Sequence, residues 1–226
     1  MRPRRVVPRD AASLILIDSS GPMPKVLVGR RAAAHRFMPN LYVFPGGRRD
    51  PGDHRIKALD ALPAPVVDRL ARRVAKRRLA CARHGLAVTA LRELYEETGL
   101  LIGRLDDQHD DRTTSHGPAL LPALGQLRYV ARAVTPATSP MRFDTRFFAL
   151  FTHEAGIDPA AVRDSRELED LRWMAIDDRQ SVPLPAITAT ILDDLAARLA
   201  MDPHLSFEPG VPFYYTVRGR FVRTML

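Results

Sequence analysis

The sequence predicts an α/β fold of the α+β type, in which a mixed β-sheet lies between helices. Short apolar runs bounded by turn-forming residues, typical of strands, occur along much of the chain. Amphipathic stretches with helical periodicity interrupt them without a regular βαβ alternation, which argues against a purely parallel sheet. With 226 residues and 46% hydrophobic residues, the chain suits one core. We therefore expect a single domain over residues 1–226.

The first expected element is a β-hairpin. The apolar runs ASLILID (12–18) and KVLVGRR (25–31) are separated by SSGPMP, a cluster of turn formers. A third strand, LYVFPGG (41–47), ends in a Pro-Gly-Gly corner, where glycine permits backbone angles and close approaches that other residues forbid.

Two helices are expected next. Residues 65–83 place small apolar side chains along one narrow stripe, with arginine and lysine over the remainder, which is typical of a surface helix. A second helix is expected over residues 86–98, followed by Gly99, a residue suited to the left-handed cap position.

The C-terminal half supplies further strands and a last helix. Residues 105–118 are polar and without periodicity, so we expect a mobile surface loop there. Strands are expected within 126–136, 145–153 and 171–177, and an amphipathic helix over 186–201.

The charge balance excludes some classes and leaves others open. The formal net charge is +8, carried almost entirely by arginine, and such a surface concentrates polyanions such as nucleotides, phosphorylated coenzymes or RNA. The basic stretch 65–83 could bind RNA or a membrane surface. We favour the alternative, a surface helix with a solvated basic face, so a nucleic-acid partner is not expected. No apolar run approaches the roughly 18 residues of a membrane span. Cys81 stands alone, which excludes an internal disulfide framework and a cysteine zinc cluster. We expect a cytoplasmic protein without membrane association.

A cluster of carboxylates is the first chemical signal. On a helix, Glu93, Glu96 and Glu97 reach toward one sector of the surface, and each like-charged pair costs roughly 0.2–0.5 kcal/mol. A bound divalent cation would reverse the sign of this term, and oxygen ligands suit Mg²⁺ or Mn²⁺. Arg92 lies four residues before Glu96 and could instead hold an exposed acidic face. The cluster alone leaves both interpretations open.

The stretch RELYEETGL (92–100) resembles the second half of the Nudix box, G-x5-E-x7-R-E-U-x-E-E-x-G-U, where U is aliphatic. Gly47 followed by RRDPG and Asp53 is similar to its first half, with aspartate in place of glutamate. The usual spacer has seven residues, whereas residues 54–91 make 38 here. Because closure entropy grows only with the logarithm of loop length, looping out such an insertion costs on the order of 1–2 kcal/mol. We expect the two halves to form one site, with a helical insertion at about 54–85.

One branch of the Nudix hydrolases resembles the chain further: the mammalian peroxisomal coenzyme A diphosphatases and their bacterial relatives, which also carry an insertion inside the box. Residues 27–47 are similar to the signature L-L-T-x-R-(S/A)-x3-R-x3-G-x3-F-P-G-G associated with coenzyme A hydrolysis, and residues 142–148, RFDTRFF, resemble another stretch of that branch. The signature is matched at Leu27, Arg31, Ala32, Arg36 and the Phe-Pro-Gly-Gly, with departures at Val28, Gly29 and Asn40.

The resemblance implies a Nudix-type α/β/α sandwich and a metal-dependent hydrolase that cleaves a nucleoside-diphosphate-X substrate. Coenzyme A or acyl-coenzyme A, giving 3′,5′-ADP and phosphopantetheine, is the expected substrate. The ligands implied for Mg²⁺ or Mn²⁺ are the carbonyl of Gly46 and the carboxylates of Glu93, Glu96 and Glu97. The catalytic residues implied are Arg92, Glu93, Glu97 and Glu167.

Some assignments stay open within this interpretation. The general base could be Glu93 itself or an acid of the later loop, with Glu167 first and Glu169 or Asp170 next. Residues expected to hold substrate phosphates are Arg31, Arg36 and Gly47. ADP-ribose or NADH is the alternative substrate, and a regulatory protein that binds RNA or a nucleotide is the alternative from another class. A homodimer is compatible with the resemblance.

Overall fold

The computed structural model describes residues 6–34, 37–75, 81–106, 119–207 and 210–226. In these parts the strands are β1 (Arg9–Asp18), β2 (Lys25–Arg31), β3 (Tyr42–Val43), β4 (Gly46–Arg48), β5 (Gly103–Asp106), β6 (Ala119–Pro122), β7 (Arg128–Val134), β8 (Phe143–Phe151), β9 (Leu168–Ala175), β10 (Pro212–Val217) and β11 (Arg220–Met225). The α-helices are α1 (Ala64–Ala71), α2 (Leu86–Thr98) and α3 (Ala186–Met201).

Nine of the strands form one mixed sheet in the order β11-β10-β7-β8-β1-β2-β3, with β4 paired to β1 and β9 paired to β2. The pairs β1–β8 and β7–β10 are parallel, and the other pairs in this sheet are antiparallel. Strands β5 and β6 form a separate two-stranded sheet. The expected mixed sheet is confirmed.

Helices cover both faces of the sheet. Because side chains alternate along a strand, neighbouring residues of β1 belong to different faces. On one face, Leu14 and Leu16 of β1 pack in a cluster with Leu91 and Leu94 of α2 and with buried residues of α1. On the other face, Ile15 and Ile17 belong to a cluster with the buried side of α3. The result is the α/β/α sandwich that the sequence predicts.

Helix α2 has the bounds expected from the sequence. Its C-cap Gly99 adopts a left-handed backbone, with φ 73°, and donates its N–H to the carbonyl of Tyr95. A π-helical turn, Cys81–Gly85, leads directly into α2. Helix α2 thus continues from the π-helical turn and ends at the Gly99 cap.

The helix expected over 65–83 is wrong as a single element. Helix α1 ends at Ala71, Arg72 is extended, and Arg73 has a positive φ of 53°. Two tertiary contacts are made at the point where the helix ends. Arg132 donates to the carbonyl of Arg72 at 3.4 Å, and the Arg73 guanidinium lies over the Phe213 ring. Residues 76–80 lie outside the described residues.

Other differences concern short strands. The strand expected over 41–47 is divided into β3 and β4. Residues 105 and 106 end β5, and the remainder of the predicted loop, 107–118, lies outside the described residues. Neither the β5–β6 hairpin nor the C-terminal β10–β11 hairpin was predicted. In the described parts of the chain, no helix is long and apolar enough to cross a membrane.

Candidate active site

The two halves of the box meet through an ion pair. Asp53, at the start of a 3-10 turn, accepts hydrogen bonds from Arg92 Nε at 3.1 Å and Nη2 at 3.3 Å. The Thr89 hydroxyl donates to the same carboxylate at 2.6 Å and the Asp50 N–H at 2.9 Å. Asp53 is only 2% exposed, so this contact is shielded from water. The insertion therefore leaves the beginning and end of the box in contact.

Arg92 connects Asp53 to the carboxylates of α2. Its Nη2 lies 2.9 Å from Glu93 Oε1, and its Nη1 donates to Glu96 Oε2 at 2.9 Å. Burial lowers the pKa of Arg92, but the hydrogen bonds to Asp53 and the charges of the three acids raise it by more, so the pKa lies above its ordinary value. Arg92 therefore remains a cation that neutralises part of the acidic cluster.

The glycine corner of β4 presses its main chain against two of these carboxylates. The Gly46 N–H donates to Glu97 Oε2 at 2.8 Å. A Cβ on Gly47 would lie 2.4 Å from the Glu93 carboxyl carbon, and one on Gly46 would lie 2.5 Å from the Ala12 carbonyl oxygen. A side chain on Gly46 would therefore overlap the main chain of β1, and one on Gly47 would displace the Glu93 carboxylate, which is the physical reason for the Gly-Gly pair.

Glu93 and Glu97 are poorly hydrated. The pKa of Glu97 is raised to about 8, chiefly by burial. The charges of Glu93 and Glu167 also raise it, whereas the Gly46 N–H and the charge of Arg31 act in the opposite direction. The pKa of Glu93 is raised to about 7, chiefly by burial and also by the charges of Glu96 and Glu167, whereas the charge of Arg92 lowers it. Each carboxylate therefore favours a proton or an additional cation at neutral pH.

These groups line a cleft of about 840 Å³. Its acidic residues are Asp50, Glu93, Glu97 and Glu167. Much of the remaining wall is apolar and aromatic, including Phe37, Phe44, Phe143, Phe147 and Ile187. The cleft thus combines a small charged region with a large apolar surface, as is usual for sites that bind organic cofactors or substrates.

The predicted metal ligands are only partly brought together. Among the described residues, no group of three or more His, Cys, Asp or Glu side chains is arranged to hold a metal ion. The Glu96 side chain is 46% exposed and turned to Arg92, and Glu96 does not line the cleft. Glu93 and Glu97 do fit a divalent cation, because two interacting carboxylates, one buried and one part-buried, offer the oxygen ligands that Mg²⁺ or Mn²⁺ prefers.

The acids of the later loop have separate surroundings. Glu167 lines the cleft, and its charge acts on both Glu93 and Glu97. Glu169 pairs instead with Arg30 at 3.3 Å. Asp170 accepts from Arg172 and from the Tyr42 hydroxyl, and these bonds lower its pKa. Only Glu167 of the three stands beside the box carboxylates.

Of the predicted phosphate-binding residues, Arg31 and Gly47 line the cleft, and the positive charge of Arg31 acts on Glu97. Arg36 lies outside the described residues. Sequence reasoning missed Thr89, which faces Asp53, and Thr188, which lines the cleft from α3. The i, i+3 spacing of Thr89 and Arg92 could have indicated the first; no local pattern indicates the second.

Comparison with solved structures decides the fold family. The chain is similar to a Nudix hydrolase from Alicyclobacillus acidocaldarius, with 29% identity and a TM-score of 0.62, over 90% of this chain and 99% of the other. The chain has the fold of the Nudix hydrolases. This likeness, together with the assembled box, supports a Nudix pyrophosphohydrolase.

More distant neighbours share the Nudix fold. The Nudix domain of Shewanella oneidensis NrtR, solved in complex with ADP ribose, is 15% identical with a TM-score of 0.51, over 86% of this chain and 90% of that one. A MutT protein from Methanosarcina mazei Go1 is 15% identical with a TM-score of 0.50, over 85% and 94% of the two chains. At this identity the two structures show the fold alone. No protein-family model and no curated protein sequence matches the chain.

Proposed function

We propose that this Nudix pyrophosphohydrolase cleaves the diphosphate linkage of coenzyme A or acyl-coenzyme A, giving 3′,5′-ADP and a phosphopantetheine product. The observation that carries the proposal is the pair of carboxylates formed by buried Glu97 and part-buried Glu93, held by the glycine corner at a cleft whose remaining wall is largely apolar. A charged region suits the diphosphate, and the apolar wall suits the organic groups on either side of it.

The residues proposed to hold Mg²⁺ or Mn²⁺ are Glu93, Glu97, Glu96 and the Gly46 carbonyl. Glu96 can join the other two only if its carboxylate leaves Arg92, whose Nη1 donates a hydrogen bond to Glu96 Oε2 at 2.9 Å. When bound, the cation supplies charge neutralisation on the phosphoryl oxygens and a lower pKa for coordinated water.

The attacking water forms a new P–O bond at one phosphorus while the bridging P–O bond breaks, and its proton passes to a carboxylate. Glu93, with its pKa near 7, and Glu167 both border the cleft where this proton would be accepted. Glu169 and Asp170 are paired elsewhere, so we place the base at Glu93 or Glu167. Arg31 stands where a guanidinium can hold the diphosphate oxygens.

The apolar wall supports a substrate with sizeable organic groups. Phe37 and Phe143 meet edge to face with ring centroids 5.2 Å apart, and both line the cleft. Such rings can stack on adenine or contact a pantetheine or acyl chain. Phe148, by contrast, is fully buried in the core, so the three phenylalanines of 142–148 have different roles.

The test is turnover of coenzyme A, acetyl-coenzyme A, ADP-ribose and NADH in parallel with Mg²⁺, with products separated by chromatography. We expect 3′,5′-ADP from the first two, and loss of turnover in Glu97→Gln. Glu167→Gln should lower turnover, whereas the matched variant Glu169→Gln should retain it. Cleavage of only ADP-ribose or NADH would contradict the substrate, and full turnover by Glu97→Gln would contradict the site.

A further inference from the structure

The N-terminus of α3 faces the cleft without a capping side chain. Its N-cap is Pro185, which offers no side-chain hydrogen bond, and the first intrahelical N–H bond is made by Ala189 to the Pro185 carbonyl. Within the described residues, the N–H groups of Ala186, Ile187 and Thr188 have no intramolecular acceptor. All of Pro185–Thr188 line the cleft. Three donors and the positive end of a 16-residue helix thus point to an acceptor from outside the chain.

The Thr188 hydroxyl is an independent indication of a ligand. Thr188 is only 5% exposed and lines the cleft, and its hydroxyl makes no hydrogen bond to any described residue. Thr190, two residues later, donates its hydroxyl to the Ala186 carbonyl at 2.9 Å. The residue is largely buried, but its hydroxyl oxygen is not fully enclosed and keeps some exposed surface. Thr188 therefore offers a hydroxyl without a partner among the described residues to a molecule bound in the cleft that it lines.

This region is separate from the diphosphate-cleaving carboxylates. Glu93 and Glu97 come from α2, which covers one face of the sheet, whereas α3 covers the other. Arg31 belongs with the carboxylates, since its charge acts on Glu97. The nearby acid on α3, Asp194, is bonded to the Tyr214 hydroxyl and to Arg223, so its charge is compensated.

We propose that the N-terminus of α3 and the Thr188 hydroxyl bind a phosphate monoester carried by the substrate, distinct from the diphosphate that is cleaved. Helix N-termini bind phosphate through free N–H groups and the helix dipole. The inference rests on the proposed function, and in coenzyme A this group is the ribose 3′-phosphate. Thr188 would then determine substrate specificity, because coenzyme A carries this phosphate and dinucleotides such as NADH lack it.

The experiment compares kcat/KM for coenzyme A and dephospho-coenzyme A, which lacks the 3′-phosphate. Calorimetry with 3′,5′-ADP and 5′-AMP accompanies it, so that binding is measured whether or not turnover occurs. A hydrogen bond to a charged group corresponds to roughly a tenfold or larger effect on affinity. We expect the wild type to prefer the 3′-phosphorylated partner of each pair by about tenfold or more, and Thr188→Val to lose most of that preference.

Two further variants and one control sharpen the test. Thr188→Ser keeps the hydroxyl and should keep the preference. Ala186→Pro removes one free N–H and should weaken it; proline suits the first helical position, and Pro185 already has the extended backbone that a following proline requires. Thr190→Val, on the same helix outside the cleft lining, should behave as the wild type.

Each outcome decides the inference separately from the proposed function. Equal binding of 3′,5′-ADP and 5′-AMP by the wild type, or an unchanged preference in Thr188→Val, would overturn it even if coenzyme A is cleaved. If coenzyme A is not cleaved, but the calorimetric preference is present and disappears in Thr188→Val, the phosphate site stands and the proposed substrate fails.

Discussion

At the scale of single residues, the site depends on one buried ion pair between distant parts of the chain. Asp53 accepts from Arg92, Thr89 and the Asp50 N–H, and it is almost fully buried. Aspartate is one methylene shorter than the glutamate of the usual box, yet the 3-10 turn brings its carboxylate within 3.1 Å of the guanidinium. The substitution is therefore compatible with an intact box.

Asp53→Asn should lower the free energy of unfolding by about 3 kcal/mol, because breaking one side of a buried ion pair leaves Arg92 less compensated. Urea unfolding followed by circular dichroism measures the change. Turnover should fall as well, since Arg92 also holds Glu93.

The control is Asp50→Asn, whose carboxylate pairs with Arg48 at 3.7 Å with both side chains about half exposed. This change should alter the free energy of unfolding by no more than about 0.5 kcal/mol. Equal effects of the two substitutions would contradict a special role for the buried pair.

At the scale of elements, the β4 corner and α2 position each other. Strand β4 pairs with β1 through Ser13 and Gly46, and α2 packs on the same strand through Leu91 and Leu94. The corner and the helix thus share β1 as a common support, which fixes the carboxylates before any substrate binds.

Gly47→Ala should reduce kcat by about tenfold or more with little loss of stability, because the new Cβ would meet the Glu93 carboxylate at the end of a side chain that can move. Steady-state kinetics together with a thermal melt separate the two effects. Gly52→Ala, in the same loop, meets nothing within 4 Å and should leave kcat unchanged. A fully active Gly47→Ala protein would show that the position of Glu93 does not matter.

Helix α1 of the insertion is part of the core rather than an appendage. Leu70 is 1% exposed and belongs to the cluster that α2 forms with the sheet. Leu70→Ala should therefore cost about 2–5 kcal/mol in the free energy of unfolding. Leu59→Ala, at a side chain 45% exposed, should cost much less. If Leu70→Ala unfolds at the wild-type denaturant concentration, the insertion helix does not contribute to the core.

At the scale of the whole molecule, the buried carboxylates connect folding to pH and to metal. The pKa values of Glu93 and Glu97 are about 7 and 8, against 4.5 for an ordinary glutamate. Between pH 4.5 and 8 the folded chain therefore holds protons that the unfolded chain has released. By linkage, the stability of the metal-free protein falls as pH rises from about 4.5, up to about pH 7 for the contribution of Glu93 and up to about pH 8 for that of Glu97.

We expect the Tm of the metal-free protein to fall between pH 5 and pH 8 and that of Glu97→Gln to fall less. Added Mg²⁺ or Mn²⁺ should raise the Tm more at pH 8 than at pH 5, because protons compete with the cation for the same oxygens. Differential scanning fluorimetry with and without EDTA gives both comparisons. A metal effect that is equal at the two pH values would contradict a carboxylate site.

The sequence by itself determined the elements whose signals are local. The hairpin of β1 and β2, helix α2 and its cap at Gly99 follow from periodicity, turn formers and glycine conformation, and they are where the sequence places them. The stretch 92–100 likewise predicted a Nudix fold through its resemblance to the second half of the Nudix box, and the fold is confirmed.

Only the tertiary structure decided which residues meet. Periodicity tells which side of a segment is apolar but not what it packs against, so the sequence could not show that α1 would end at Ala71 beside Arg132 or that Glu96 would turn to Arg92. Contacts across long separations, such as Asp53 with Arg92 and the approach of α3 to the cleft, depend on chain closure and packing. The same packing buries Glu97 and part-buries Glu93 beside Glu167, which raises the pKa of both carboxylates, and it shapes the cleft in which they act.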